Sequence, residues 1–386
     1  MLLAAAGCAP STAGAHPAPG ARCGSAPGPS AGSALPFGLI DVSAVPGTRQ
    51  AWALAERPAG RFTAPKRGNY LLHFSGLSWT KVVTFRRDIE LKGVSAVSAT
   101  AAWVWGDHWP SYRPFLALVS EGAVRQMRPA LLRDVSVSSI ASGGTADSWL
   151  AGSRFRGRRF LGQVVARWDG TSWLRVPVPA GARAVWPEGT SGPSDAWAVV
   201  TRGFAVNPWL VHWDGVTWSR AYRPPASLAL RGRVPMNMSA AASPGHAWVA
   251  YTEAGTNSGS DARNPPPRTF SAYFDSRRWR MVPVPAIADS GLAEVTMSGQ
   301  DAWAVAAYQN IRGVLYSHLG NAWCVQRLSA GPDAACFPAS ISAGAPTYVI
   351  AVTSPSSGIC RSGYAYIYDG HRWRSANSRA GLRPAN

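Results

Sequence analysis

A tryptophan motif recurs at a near-constant interval along this chain. It reads Arg49-Gln50-Ala51-Trp52, Thr100-Ala101-Ala102-Trp103, Ala146-Asp147-Ser148-Trp149, Ser194-Asp195-Ala196-Trp197, Gly245-His246-Ala247-Trp248 and Gln300-Asp301-Ala302-Trp303, with a degenerate seventh copy at Ala345-Pro346-Thr347-Tyr348. Successive copies are 51, 46, 48, 51, 55 and 45 residues apart. Self-similarity at such a period confines a chain to a propeller or a solenoid, because each unit carries a face that it can bury only against its neighbour.

A second motif alternates with the first. An apolar strand runs into an aromatic-Asp-Gly turn, then two residues, then Trp. The best copies are Trp168-Asp169-Gly170-Thr171-Ser172-Trp173 and Trp213-Asp214-Gly215-Val216-Thr217-Trp218. Weaker ones lie at Phe74 to Trp79, Phe274 to Trp279, Leu319 to Trp323 and Tyr368 to Trp373, and the most decayed has Glu121-Gly122 with Arg125 at the Trp position. Asp-Gly between apolar residues marks a tight hairpin, since Asp bonds the backbone two residues on and Gly accepts positive φ. Stretches such as Ala196-Trp197-Ala198-Val199-Val200 read as strands. Small-residue runs before them, such as Val94-Ser95-Ala96-Val97-Ser98, suit an inner strand crowded near an axis. Each repeat therefore holds four strands, a to d, and the chain is expected to be all-β. The fold class is a seven-bladed β-propeller of four-stranded antiparallel blades, preceded by a disordered tether. The propeller is placed at 36–378, with blades near 36–87, 88–130, 131–180, 181–225, 226–285, 286–330 and 331–378. The chain opens on an a strand and closes on a d strand, so the ring is expected to shut by packing.

Lys and Arg total 38 against 20 Asp and Glu, a formal charge of +18. The only lysines are Lys66, Lys81 and Lys92; the skew to Arg, with abundant Ala, Gly and Pro, is that of GC-rich coding. Such a charge attracts anionic partners: envelope polymer, acidic lipid or acidic protein. No recognition-helix, zinc or RNA-binding motif is present, so nucleic acid is not expected.

The segment Met1-Leu2-Leu3-Ala4-Ala5-Ala6-Gly7-Cys8 resembles the end of a bacterial lipoprotein signal, with Cys8 as the lipid-bearing residue. It is shorter than an h-region and lacks a basic start, so the natural start is expected upstream. Residues 1–8 are thus read as a truncated signal and 9–35, rich in Ala, Gly, Pro and Ser, as a linker. The expected location is extracytoplasmic, lipid-anchored at the membrane or secreted. An oxidising compartment favours a bridge among Cys324, Cys336 and Cys360, with Cys336–Cys360 the first choice because both flank blade seven.

The succession aromatic-Asp-Gly-x-x-Trp, Val-Pro, then Ser-x-x-Asp-Ala-Trp-Ala-Val is clearest from Trp168 to Val178 with Ser194 to Val200, and from Phe274 to Val284 with Gln300 to Val305. It resembles the secreted and lipoprotein β-propellers of actinobacteria over nearly the whole chain after residue 36. That resemblance implies a fold and leaves the activity open. A looser likeness is to the Asp-box of sialidases, but Asp169 stands next to Gly170 instead of two before it. A copper site of the galactose-oxidase kind needs Tyr, His and Cys together, and no such set assembles.

Function therefore has to be sought off the beat. Fourteen of the 18 Trp belong to the repeat; Trp105, Trp109, Trp186 and Trp209 do not. The last three are candidate ligand platforms, while Trp105 shares strand parity with Trp103. In a four-stranded meander the b–c and d–a connections share one end of the ring. The b–c loops vary most in length, at 56–69, 153–162, 252–269 and 352–362, and ligand-specific surfaces are grafted where loops vary. That face offers Arg154, Arg156, Arg158 and Arg159 in blade three, Arg263 and Arg268 in blade five, and Arg61, Lys66 and Arg67 in blade one. Guanidinium forks suit carboxylate or phosphate.

His73 and His212 hold one repeat position and read as structural. No Cys/His cluster has metal spacing, so no metal and no cofactor is expected. No nucleophile elbow or phosphate loop is present. The expected function is a non-enzymatic, membrane-anchored, monomeric binding or scaffold module for an anionic envelope polymer, glycan or protein partner. The alternative is a glycan-active hydrolase or lyase in the central mouth. That reading needs convergent carboxylates at the axis, where the sequence offers Glu188, and Asp107 with His108.

Overall fold

A computed structural model describes residues 35, 37–56, 69–157, 159–202, 208–224, 233–255, 268–285, 290–308, 313–319, 322–327, 337–345, 347–354 and 364–376. Of the signal segment and linker expected at 1–35, residues 1–34 lie outside them, while Leu35 is buried in the core between blades one and seven. Twenty-eight strands form seven antiparallel four-stranded sheets. These are β1–β4 (38–85), β5–β8 (89–126), β9–β12 (135–176), β13–β16 (184–222), β17–β20 (233–282), β21–β24 (290–327) and β25–β28 (337–375). The chain is a seven-bladed β-propeller, each blade running from strand a near the axis to strand d at the rim.

The core is divided among the seams. Seven buried apolar clusters each join two neighbouring blades, so no blade has a private core. The recurring Trp is the key of six seams, and Tyr348 takes its place in the seventh. Trp103 is fully buried, with its ring 5.2 Å from Trp168 and 5.1 Å from Trp173 of the next blade. Trp149 meets Trp213 and Trp218 at 5.9 and 5.7 Å, and Trp248 meets Trp323 at 5.4 Å. Aromatic pairs at these separations add to what burial alone contributes. Indole N–H groups bond forward as well: Trp52 to the Ser98 carbonyl at 2.9 Å and Trp103 to Ser148 Oγ at 3.0 Å.

The residue two before the Trp has its own task. Asp195 Oδ1 accepts the Trp197 indole N–H at 3.0 Å and holds His212 Nε2 at 2.8 Å, and Asp147 accepts the Trp149 N–H at 3.1 Å. Gln50 engages His73 at 3.0 Å in the same way. Both histidines are therefore structural companions of the Trp. In the hairpin motif, Asp169 Oδ1 accepts the N–H groups of Thr171 and Ser172, both at 2.8 Å, and Asp214, Asp275 and Asp369 repeat the device. Glycines Gly76, Gly170, Gly215 and Gly370 follow at φ between 92° and 99°, the left-handed conformation the turn demands.

Among the described residues, the first and last blades share no strand. Leu39, Phe74 and Trp79 of blade one pack on Tyr348, Ile350 and Val352 of blade seven, and Phe74 stacks on Tyr348 at 6.5 Å. The Gly47 N–H donates to the Gly344 carbonyl at 2.6 Å across this seam. Among the described residues, no helix is long and apolar enough to cross a membrane.

Candidate functional site

The seven a strands line an axial channel of about 650 Å³. Each of them breaks register against its b strand at least once. An innermost strand has one edge with no ladder partner, so its N–H and C=O groups must be satisfied otherwise. Side chains of the preceding blade do this. Ser43 Oγ accepts from Ala96 N–H at 2.9 Å, Ser239 from Val295 at 3.0 Å, Thr296 from Ala343 at 3.0 Å and Ser342 from Ala44 at 2.9 Å. Three clasps use carboxylates instead. Asp41 accepts from Val94 N–H at 2.8 Å, Glu294 from Ile341 N–H at 3.0 Å, and Glu188 from the Ala240 backbone.

These three carboxyls stand on blades one, six and four and all face the channel. Loss of water raises their pKa values: Asp41 to about 6 despite its N–H donors, and Glu294 to about 8, with the charge of Asp41 adding to the rise. Glu188 is raised well above the usual carboxylate range by burial first and by Glu294 second. Glu188 was legible in the sequence; Asp41 and Glu294 were not, and they correct the expectation that the inner strands are small and apolar. Asp107, by contrast, is not at the axis. It is buried at the far end of β6 (Ala101–His108), paired with Lys92. Among the described residues no group of three or more His, Cys, Asp or Glu is placed to hold a metal ion.

A second cavity, of about 830 Å³, opens between blades two and three on the b–c/d–a face. Trp109 and Arg113 from the β6–β7 turn line it, together with Arg128, Arg133 and Asp134 from the link into blade three, and Asp88. Trp109 is 52% and Tyr112 61% exposed, and the two rings meet edge-to-face at 5.2 Å. The turn is rigid: Tyr112 N–H donates to the His108 carbonyl at 2.7 Å, and Trp109 N–H to the Asp88 carbonyl at 2.6 Å. A third cavity, of about 390 Å³ at the blade four–five seam, is lined by the Asp195–His212 pair, Trp197 and Trp279.

The blade-three segment 153–162, expected as a loop, is instead the end of a long hairpin. Strands β10 (Asp147–Arg156) and β11 (Arg159–Trp168) stay paired out to Arg156 opposite Arg159. Those two arginines are exposed. Arg154 is not available in the same way, because its guanidinium turns back and donates to the Leu131 carbonyl at 2.7 Å. Trp209 is buried at the blade three–four seam, with the Arg202 and Arg220 guanidiniums 5.5 and 5.9 Å from its ring. It packs and presents no platform, and the half-buried Trp186 packs on the blade four–five core. Trp109 alone of these three projects from the surface. Arg158, Arg263, Arg61, Lys66, Arg67, Cys8, Cys336 and Cys360 lie outside the described residues, and Arg268 opens β19 (Arg268–Phe274). Cys324, on β24 (Ala322–Arg327), is disulfide-bonded. Sequence reasoning missed Tyr112, Phe155, Phe160 and Leu161, whose exposure is set by how far their hairpins protrude.

No family model matches the chain, and no curated protein does. Solved β-propellers match its fold. The β-propeller domain of the Trilobed protease from Pyrococcus furiosus, described as having an open velcro topology, is 7% identical, with 89% of this chain and 99% of that chain covered at a TM-score of 0.54. A prolyl endopeptidase structure is 14% identical at a TM-score of 0.53, with 88% of this chain covered but 48% of that one. The six-bladed fucose-recognising lectin of Aleuria aurantia is 11% identical, with 90% and 99% covered at a TM-score of 0.46. At these identities the likeness concerns the fold alone.

Proposed function

We propose that the chain is a non-enzymatic binding module whose partner is anionic and is met by the b–c/d–a face of blades two and three. The observation that carries this is the cavity between those blades, with Arg113, Arg128 and Arg133 against Asp88 and Asp134 and with the exposed Trp109 at its edge. Guanidinium groups fork onto carboxylate or phosphate oxygens, and the formal charge of +18 adds long-range attraction. In this reading the ring works outside the cytoplasm as a monomer, held to the membrane through Cys8. The test is affinity for a soluble polyanion, a polyuronate, at two salt concentrations. Replacing Arg113, Arg128 and Arg133 together by Gln should weaken binding about tenfold or more and flatten its salt dependence. Unchanged affinity in that variant removes the reading.

The channel favours a second reading, a glycan-active enzyme, because burial raises the pKa of Glu188 and brings that of Glu294 to about 8, the direction a general acid needs. Against it, both carboxyls already serve as clasps for the next blade. Glycan turnover that disappears in both Glu188→Gln and Glu294→Gln would establish it.

A further inference from the structure

Ten large hydrophobic side chains are exposed among the described residues, and five of them crowd onto two adjacent hairpin ends. Trp109 and Tyr112 cap the turn of blade two; Phe155, Phe160 and Leu161, 37%, 45% and 49% exposed, ring the end of the blade-three hairpin. Single exposed apolar residues need no explanation, but a contiguous group does. The blade-three strands are ten residues each, against seven and five for β14 (Asp195–Thr201) and β15 (Trp209–Trp213). Phe155 lies opposite Phe160, their rings 5.8 Å apart, and Leu161 is the unpaired residue of the register break that follows, with Arg154 already opposite Gly162.

Three exposed apolar side chains at one hairpin end find no apolar partner in a soluble polymer. Leu161 offers nothing to a sugar, and the edge-to-face Trp109–Tyr112 pair presents no parallel platform. A bilayer interface, by contrast, surrounds whatever enters it. Trp and Tyr settle at the headgroup level, and Arg reaches the phosphates along its aliphatic stem. Arg156 and Arg159 have no ion-pair partner among the described residues, and Arg113, Arg128 and Arg133 stand behind the blade-two tip. Basic residues beside an anionic leaflet add attraction that falls off within a Debye length.

We propose that the anionic partner of this face is a phospholipid bilayer, with Trp109 and Tyr112 seated in the headgroup layer and the blade-three hairpin lying along it. This rests on the reading that the face takes an anionic partner, and names that partner. It gives the ring a contact with the membrane independent of any lipid on Cys8, and one lipid chain plus a basic patch holds where either alone is marginal.

The experiment uses the full chain carrying Cys8→Ser, so that no acyl group can attach. It is mixed with vesicles of phosphatidylcholine alone or with one-third phosphatidylglycerol, and separately with the soluble polyuronate. Sedimentation with the phosphatidylglycerol vesicles is expected, falling about tenfold in Trp109→Ser/Tyr112→Ser and in Phe160→Ser/Leu161→Ser, with polyuronate affinity unchanged in the second pair. These side chains are exposed, and an unchanged unfolding midpoint confirms intact variants. Insertion should also raise the surface pressure of a phosphatidylglycerol monolayer. Polyuronate binding without vesicle binding overturns the bilayer and leaves the anionic-partner reading standing. Vesicle binding that ignores the aromatic substitutions reduces the contact to charge and overturns it too. Binding to neither ends both.

Discussion

Trp103 and Trp109 are six residues apart and have opposite fates. The first is sealed in a seam between two indoles of the next blade; the second stands half in solvent. Trp103→Ala should therefore cost about 3–5 kcal/mol in chemical denaturation, the usual range for a buried aromatic, while Trp109→Ala leaves the midpoint where it was. The division was legible, because Trp103 keeps the beat and Trp109 breaks it. The beat does not say which off-beat Trp is exposed: Trp209 also breaks it and is buried. Nor was the axial charge legible as a set. Glu188 and Glu294 each stand nine residues before a motif Trp, a spacing that could have paired them. The register break in every a strand resets the in–out alternation, however, so counting parity from the strand's start does not tell which side chain meets the channel.

At the scale of the element, the a strand is the part of the blade that the ladder leaves half-satisfied, and the clasp is the repeat's answer. Where the clasp is a carboxylate, stability acquires a pH dependence. Glu294 is raised from 4.5 to about 8 and Asp41 from 3.8 to about 6, so the folded ring binds these protons more tightly than the unfolded chain does. Their contribution is complete below the unfolded values and is lost as pH rises through the folded ones. Thermal unfolding midpoints should thus fall between pH about 4.5 and about 8, and Glu294→Gln, which keeps an acceptor for the Ile341 N–H, should remove much of that slope. A midpoint that climbs over this window would show that other groups dominate. The element the sequence described least well is the blade-three hairpin. Ser153 to Gly162 is rich in Arg and Gly and reads as a loop, yet the ladder runs on because cross-strand pairs such as Phe155 with Phe160 continue the sheet outward.

Over the whole molecule, seven seams share the core, and the last is closed by apolar packing and by hydrogen bonds from Gly47 and Ala44 to blade seven, with no strand shared among the described residues. The number of blades could be read from two interleaved motifs because both are structural: one fills seams, the other makes turns. Function leaves no such rhythm. It belongs to positions where one blade differs from its fellows, and among the described residues blades two and three carry exposed aromatics and arginine on one face. Hydrogen–deuterium exchange with and without phosphatidylglycerol vesicles reads this most directly. The account expects slowed exchange at 108–114, 126–134 and 153–162, with the a strands around Asp41, Glu188 and Glu294 unaffected. Protection confined to those axial segments, or spread evenly over all seven blades, would contradict it.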